Sequence, residues 1–258
     1  MGLSIGNNTL GSLYLGSTKI GAAYFGNVKV YQSGPVLPSH TIRCRFKTGY
    51  TPSTGDSQTL VDASNNIWDI YKASNSWSYM FSSDASNLVE VIAANTTGVT
   101  VMSGLFYMCE IATVPLFDTS SVTNMAGMFM MCHDLTSVPL FDTSSVTDMS
   151  TMFYSCSSLA SVPLFDTSSV TNMAEMFMMC HDLTSVPLFD TSSVTDMSYM
   201  FYDCSAVQSG ALALYQQASG QATPPSNYAS CFTNCGSNTV TGAAELAQIP
   251  SSWGGTGA

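Results

Sequence analysis

Residues 114–137 read VPLFDTSSVTNMAGMFMMCHDLTS, and the same pattern starts again three times at intervals of 24 residues. The first and third copies differ at one position, which is Gly127 in one and Glu175 in the other. The array is therefore a 48-residue unit that is duplicated almost unchanged. A fixed period of this length is typical of solenoids, in which each coil buries its apolar face against its neighbours.

The apolar spacing within one copy predicts a helix of about three turns. The stripe recurs at i, i+3, i+6, i+7 and i+10, and its members are Val122, Met125, Met128, Phe129 and Cys132. The preceding Asp-Thr-Ser-Ser run supplies side-chain oxygens that cap a helix start.

Upstream of each stripe, LTSVPLF predicts a strand of two or three residues, because its proline removes a backbone donor. The sequence thus predicts an α/β fold, a leucine-rich-repeat-type solenoid with a short strand and a helix in each 24-residue coil.

A small β-rich module precedes the array. Residues 5–31 contain a repeat of about ten residues, IGNNTLGSLY, LGSTKIGAAY and FGNVKVYQ. This repeat predicts a three-strand meander. So short a meander must dock on a larger body or on copies of itself. After it, TIRCRFK alternates apolar and basic residues, so one strand face is buried and the other is basic. We expect four parts: an attachment module (1–34), a β-rich cap (35–67), the solenoid (68–237) and a carboxy-terminal cap and tail (238–258).

Charge is distributed unevenly along the chain. Only 9% of residues are charged, against roughly 25% in a typical protein, yet the net charge is -11. All six bases lie in residues 1–72, and 14 of the 17 acids follow them. A long segment without Lys or Arg excludes nucleic-acid binding. No run of about 18 apolar residues exists, so no membrane insertion is expected. The amino-terminal sequence MGLSIGNNTLGS also leads us to expect no secretory leader.

The repeats resemble those of the BspA-like surface leucine-rich-repeat proteins, in Phe-Asp-Thr-Ser, Val-Thr-x-Met and Met-Phe-x-x-Cys over roughly residues 68–237. This resemblance implies a right-handed solenoid used for recognition in bacterial surface proteins and phage tail proteins. The pattern LYLGSTKI...YFGNVKVY resembles the amino-terminal attachment modules of phage tail and virion-associated proteins.

Cysteines and histidines favour structural roles over chemistry. One cysteine recurs per repeat, and at helix-packing distances of roughly 8–10 Å these residues are expected to stay free and buried. Cys231 and Cys235 are the exception, because their spacing leaves a local disulfide open. His133 and His181 follow Met-Met-Cys, but no second histidine lies at ligand spacing, so we expect no metal site. No nucleophile motif accompanies them, so no enzymatic activity is expected.

Two surfaces are candidate binding sites. The positions that vary between copies share one face, opposite the constant stripe, and would form an apolar, aromatic outer helix face: Met130, Tyr154, Met178, Tyr199 and Tyr202. This face either binds a ligand or is covered by a neighbouring subunit or by the carboxy-terminal segment. The constant FDTSS edge carries a row of acidic residues, Asp118, Asp142, Asp166 and Asp190. These aspartates could cap helices, bind a hard cation such as calcium, or contact a repetitive ligand such as a glycan.

We therefore expect a non-enzymatic recognition protein without a cofactor, located in a phage or phage-like tail or extracellularly. Virion or tail proteins would bind residues 1–34, and a host-surface protein or glycan would bind the solenoid. A homo-oligomer is expected, with a trimer as the candidate. The alternatives are an adhesin on the bacterial cell surface and a purely structural virion subunit.

Overall fold

The structure is a computed structural model, and it describes residues 37–257 together with the backbone of four short strands nearer the amino terminus. The chain forms two compact units, residues 1–38 and residues 39–258. Within the described part, no helix is long and apolar enough to cross a membrane.

The described strands of the first unit form two antiparallel pairs. Strand β1 (Tyr14–Leu15) pairs with β2 (Thr18–Lys19), and β3 (Ala22–Phe25) pairs with β4 (Val28–Gln32). The meander of three strands predicted over residues 5–31 is thus replaced, among the described residues, by two hairpin-like pairs. The remainder of that predicted module lies outside the described residues.

The second unit begins with a four-stranded antiparallel sheet. Its strands are β5 (Thr41–Phe46), β6 (Ser57–Asp62), β7 (Ile67–Tyr71) and β8 (Leu88–Asn95), in the spatial order β6-β7-β5-β8. The alternation predicted in β5 is confirmed, because Ile42, Cys44 and Phe46 are buried. The basic side chains of β5 are paired: Arg43 Nε lies 2.6 Å from Asp69 Oδ1, and Arg45 Nη2 lies 2.7 Å from Glu90 Oε2. The sheet uses β7 and β8, and so extends past the residues 35–67 expected for the cap.

The repeat contains no α-helix, and the prediction of one helix per coil is wrong. Residues 124–132 instead form consecutive tight turns. Gly127 and Met131 have φ near +60°, a left-handed conformation that ends any right-handed helix. The amides of Met128 and Cys132 donate to carbonyls three residues back, as in turns of type II, where the third residue has positive φ.

The alternate amides of this segment leave the coil. Met125, Gly127, Phe129 and Met131 each donate to a carbonyl of the next coil at 2.8–3.0 Å. The Ala126 amide donates to Asn124 Oδ1, so the amides of residues 125–132 are all satisfied without a helix. Because the bonds between coils need the adjacent copy, the backbone of each repeat depends on its neighbour for half of the bonds in this segment.

Successive coils are joined by isolated parallel bridges, of which only Ser185 with Ser209 falls within an LTSVPLF segment, where the sequence predicts a strand of two or three residues. The main ladder runs through Ser76, Val101, Asn124, Asp148, Asn172, Asp196 and Asn227. Parallel bridging places coils about 4.8 Å apart, much closer than the helix-packing distance expected from the sequence. The architecture is thus a solenoid with little regular secondary structure.

A column of stacked phenylalanines fills the centre of the solenoid. Successive ring centroids lie 5.2–5.9 Å apart with interplanar angles of 2–19°, through Phe81, Phe106, Phe129, Phe153, Phe177, Phe201 and Phe232. A second row, which includes Phe141 and Phe165, lies against this column at 6.3 Å.

Helical segments close the carboxy-terminal end of the stack. Helix α1 (Ala211–Ser219) lies in the chain before the final rung of the stack at Asn227, and Gln217 on it donates to the Phe189 carbonyl at 2.6 Å. Helix α2 (Val240–Leu246) is capped at its amino-terminal end by Thr239, whose side chain accepts from the Gly242 amide. The indole of Trp253 lies 6.4 Å from the Phe232 ring and thereby ends the phenylalanine column.

Candidate interaction surfaces

The PLFDTSS segment of each coil turns two side chains to solvent on either side of a buried phenylalanine. Phe117 is 6% exposed and Thr119 is 2% exposed, whereas Leu116 between Pro115 and Phe117 is 66% exposed. Asp118 is exposed as well. This alternation of period two places leucine and aspartate on the same outer edge.

The leucine of this segment is exposed in all four coils. The exposed fractions are 66% for Leu116, 59% for Leu140, 62% for Leu164 and 54% for Leu188. In contrast, the constant methionine, phenylalanine and cysteine positions of the repeats are at most 6% exposed. The leucines therefore add little to the core and form an apolar row along the stack.

The neighbouring aspartates are held by local and inter-coil hydrogen bonds. Asp118 Oδ1 accepts from the Ser120 amide at 3.0 Å and from the Ser120 hydroxyl at 2.7 Å. The buried Thr119 hydroxyl donates to the Asp142 carbonyl of the next coil at 2.9 Å. This pattern repeats from coil to coil and fixes the spacing of the row. The carboxylates cap tight turns, since no helix starts here as the sequence had led us to expect.

The acidic row has no basic counterpart in the part of the chain that the structure describes. The ion pairs found there involve Asp69, Glu90, Glu110 and Asp203, and none of the row. The Ser168 hydroxyl and amide lower the pKa of Asp166, and the Ser192 amide and hydroxyl lower that of Asp190. Both carboxylates are thus ionised at neutral pH, and like charges follow one another at intervals of about 5 Å.

The main ladder of parallel bridges avoids such repulsion between like charges. The bridge positions alternate between amide and acid: Asn124, Asp148, Asn172, Asp196 and Asn227. The Asn227 side-chain amide donates to Asp196 Oδ2 at 2.9 Å, and that of Asn124 lies 3.5 Å from Asp148 Oδ2. Charges are interleaved with neutral donors here, and the acidic row lacks such interleaving. We call the row of leucines and aspartates the Leu/Asp face: Leu116, Leu140, Leu164, Leu188, Asp118, Asp142, Asp166 and Asp190.

The apolar and aromatic positions that were predicted to form an outer helix face lie on tight turns instead. We call these positions the Met/Tyr face: Met130, Tyr154, Met178, Tyr199 and Tyr202. Most of these side chains are half-buried, and Tyr199 is 40% exposed. The rings of Tyr199 and Tyr202 lie 5.8 Å apart. These side chains are therefore only partly open to solvent.

The two repeat histidines are exposed and bonded to the following coil. His133 Nδ1 lies 2.9 Å from the Ser155 carbonyl oxygen, and His181 Nε2 lies 3.2 Å from Asp203 Oδ2. Among the described residues, no group of three or more His, Cys, Asp or Glu side chains is arranged to hold a metal ion. The acidic row therefore offers one carboxylate per coil and no coordination cage.

The cysteines are all free and buried, as predicted for those of the repeats, and Cys231 and Cys235 are not bridged. Each thiol in the array donates to a phenylalanine carbonyl of the preceding coil, for example Cys156 to Phe129 at 3.1 Å and Cys180 to Phe153 at 3.1 Å. Burial raises the pKa of these thiols, in Cys132 to about 12. They stabilise the stack and are not poised for reaction.

Two overlapping segments, residues 75–162 and 133–212, match the family described as "Mycoplasma protein of unknown function, DUF285", and together they span more than half of the chain. The chain belongs to the DUF285 family. No curated protein and no solved structure gives a significant match. In this DUF285 chain, the matched residues include all four coils of the Leu/Asp face.

The aspartates of the Leu/Asp face were found from the sequence, but its leucines were not. The signal was present, because Leu116 and Asp118 flank Phe117 with period two and all four DUF285 repeats keep the three residues unchanged. The apolar stripe downstream accounts for the buried core by itself, so the sequence pattern did not assign the leucine of PLF to the surface.

Proposed function

We propose that this chain is a non-enzymatic recognition protein that binds its partner along the side of the coil stack, through the Leu/Asp face. The observation that carries the proposal is the row of leucines, each more than half exposed, in every one of four coils. Ordered apolar rows of this kind on a soluble surface are typical of contact sites.

Comparison between coils supports this choice of face. Adjacent copies differ at the Met/Tyr face, where Met130 is followed by Tyr154 and Met178 by Tyr202. The exposed leucine, aspartate and serines of VPLFDTSSV are the same in all four copies. An exposed surface that stays uniform while a half-buried surface varies favours one repeated contact.

The resemblance of the repeats to BspA-like leucine-rich repeats supports recognition, and the resemblance of residues 1–34 to phage attachment modules supports a phage or phage-like tail as its setting. In that setting the first unit binds virion or tail proteins, and the solenoid binds a host-surface ligand. The charge distribution fits, since residues 1–72 carry a net charge of +3 and the remainder is acidic. A bacterial cell-surface adhesin and a purely structural virion subunit are the other candidates.

Binding of the fluorescently labelled full chain to a panel of intact bacterial strains tests the proposal. We expect at least one strain to bind, and the double variant Leu140→Ser/Leu164→Ser to lose most of that binding. A chain that binds no strain and whose mass in solution shows only self-assembly would instead be an architectural subunit. Binding that the double variant retains in full would place recognition on another surface.

A further inference from the structure

We infer that the occupant of the Leu/Asp face is a basic amphipathic helix of another protein, with an apolar stripe flanked by Lys or Arg. This inference rests on the proposed function and adds the chemistry of the partner. Its basis is the juxtaposition of an exposed apolar row and an uncompensated acidic row on the same four coils.

Charge selects the sign of the partner. Four carboxylates follow one another on the face, and the ion pairs of the described residues leave all four unpaired. A cationic row opposite them would neutralise this repulsion, and the leucine row would be removed from water at the same time. The alternating Asn/Asp ladder has no such requirement, because its asparagine amides already separate the charges.

A second copy of this chain is a poor occupant. Two Leu/Asp faces in contact would bring two rows of aspartates together, and like charges in an interface are costly. Of the four Lys and Arg side chains among residues 37–257, three are already paired, Arg43 with Asp69, Arg45 with Glu90 and Lys47 with Glu110, which leaves Lys72 against four carboxylates. A neutral glycan is also a poor occupant, because it would leave the four charges uncompensated. Sugar rings commonly stack on aromatic side chains, and this face presents leucines instead.

Spacing selects a helix over a strand. Coils joined by parallel bridges rise about 4.8 Å each, and a helix advances about 5.4 Å per turn. Over the three steps between four coils the mismatch is about 2 Å, which side chains absorb. In an extended strand, residues on one face recur every 6.6–6.8 Å, so the mismatch reaches about 6 Å. A helix of about three to four turns therefore places one turn opposite each coil.

The test uses a labelled 14-residue peptide with leucines on one helical face and flanking lysines, titrated with the full chain and followed by fluorescence anisotropy. We expect saturable binding that weakens strongly between 50 mM and 500 mM salt. The variant Asp142→Asn/Asp166→Asn should weaken binding about five- to tenfold, since two ion pairs are lost. Leu140→Ser/Leu164→Ser should weaken it to a similar extent.

The matched control is Asp148→Asn/Asp196→Asn, which removes the same charge from the alternating ladder. Asparagine already occupies the equivalent positions 124 and 172, so the fold tolerates it. We expect less than a twofold change in affinity for this control. Equal losses in both double variants would show attraction to overall acidity and would overturn the inference.

Two further outcomes separate this inference from the proposed function. A peptide of strictly alternating leucine and lysine favours an extended strand. If it binds more tightly than the helical peptide, the inference that the partner is a helix is wrong. Failure of the lysine peptide to bind, while bacterial cells still bind and Leu140→Ser/Leu164→Ser still abolishes that binding, overturns the basic partner and leaves the recognition function intact.

Discussion

The rings of Phe129 and Phe153 stack almost parallel, with centroids 5.6 Å apart and planes inclined by 2°. The two residues occupy the same position in adjacent coils, and the Phe129 amide donates to the carbonyl of Met152, the residue before Phe153. The side-chain column and the backbone ladder therefore have the same repeat. Each coil is stabilised mainly by the coils above and below it.

Loss of one ring from this column should destabilise the whole stack. Phe153 is fully buried, and Phe153→Ala should lower the free energy of unfolding by about 3–5 kcal/mol, because it removes contacts and leaves a cavity. Urea denaturation followed by circular dichroism measures the change. The exposed Leu140 serves as the control, since Leu140→Ala should alter stability by less than about 0.5 kcal/mol. Comparable losses in the two variants would contradict the assignment of core and surface.

The threonine of each FDTSS segment should contribute through its hydroxyl group. Thr143 is 1% exposed and donates to the Asp166 carbonyl at 2.7 Å. Thr143→Val keeps the shape but leaves that carbonyl without its partner, so we expect a loss of about 1–2 kcal/mol in unfolding free energy. Thr147→Val is the control, because its exposed hydroxyl makes only a 3.2 Å contact to Thr123. An unchanged unfolding midpoint for Thr143→Val would show that this hydrogen bond does not stabilise the fold.

The left-handed positions predict opposite effects of exchanging residues between coils. Gly127 and Thr151 are equivalent, with φ of 60° and 53°. A β-branched residue is strained there, so Thr151→Gly should raise the unfolding free energy by about 1 kcal/mol. Gly127→Thr should lower it by a similar amount. Thermal unfolding of both variants measures the pair, and a shift of the same sign in both would argue against strain at this position.

Sequence reasoning recovered the period and the buried stripe, because each follows from local residue identity. It failed on the backbone of that stripe. The spacing of Val122, Met125, Phe129 and Cys132 suits a helix and also suits successive tight turns. What decides between them is the donation of alternate amides to the next coil, an interaction that one repeat cannot reveal.

The candidate site shows the same division. The recurrence of Asp118 marked an acidic edge from the sequence, whereas the exposure of Leu116 became evident only once Phe117 was seen to occupy the core. A leucine beside a phenylalanine reads equally well as core, and only the path of the chain shows which one points outward.

Burial of the repeat thiols predicts that they resist alkylation and weaken the fold in alkali. At pH 8, iodoacetamide should label the cysteines of the unfolded chain but not those of the native chain, as read by intact mass. The pKa of Cys132 is raised to about 12 in the folded chain, above its ordinary value near 9. The unfolded state therefore loses its proton first. The stabilising effect is complete below pH 9 and disappears as pH rises toward 12.

Ionisation of Cys132 alone should reduce the unfolding free energy by about 1.4 kcal/mol for every pH unit in that range. Cys132→Ala removes one of these groups, so the stability difference between this variant and the parent chain should shrink as pH rises from 8 to 11. A difference that is constant with pH would mean that Cys132 ionises alike in both states. Rapid labelling of the native chain at pH 8 would show directly that the thiols are accessible.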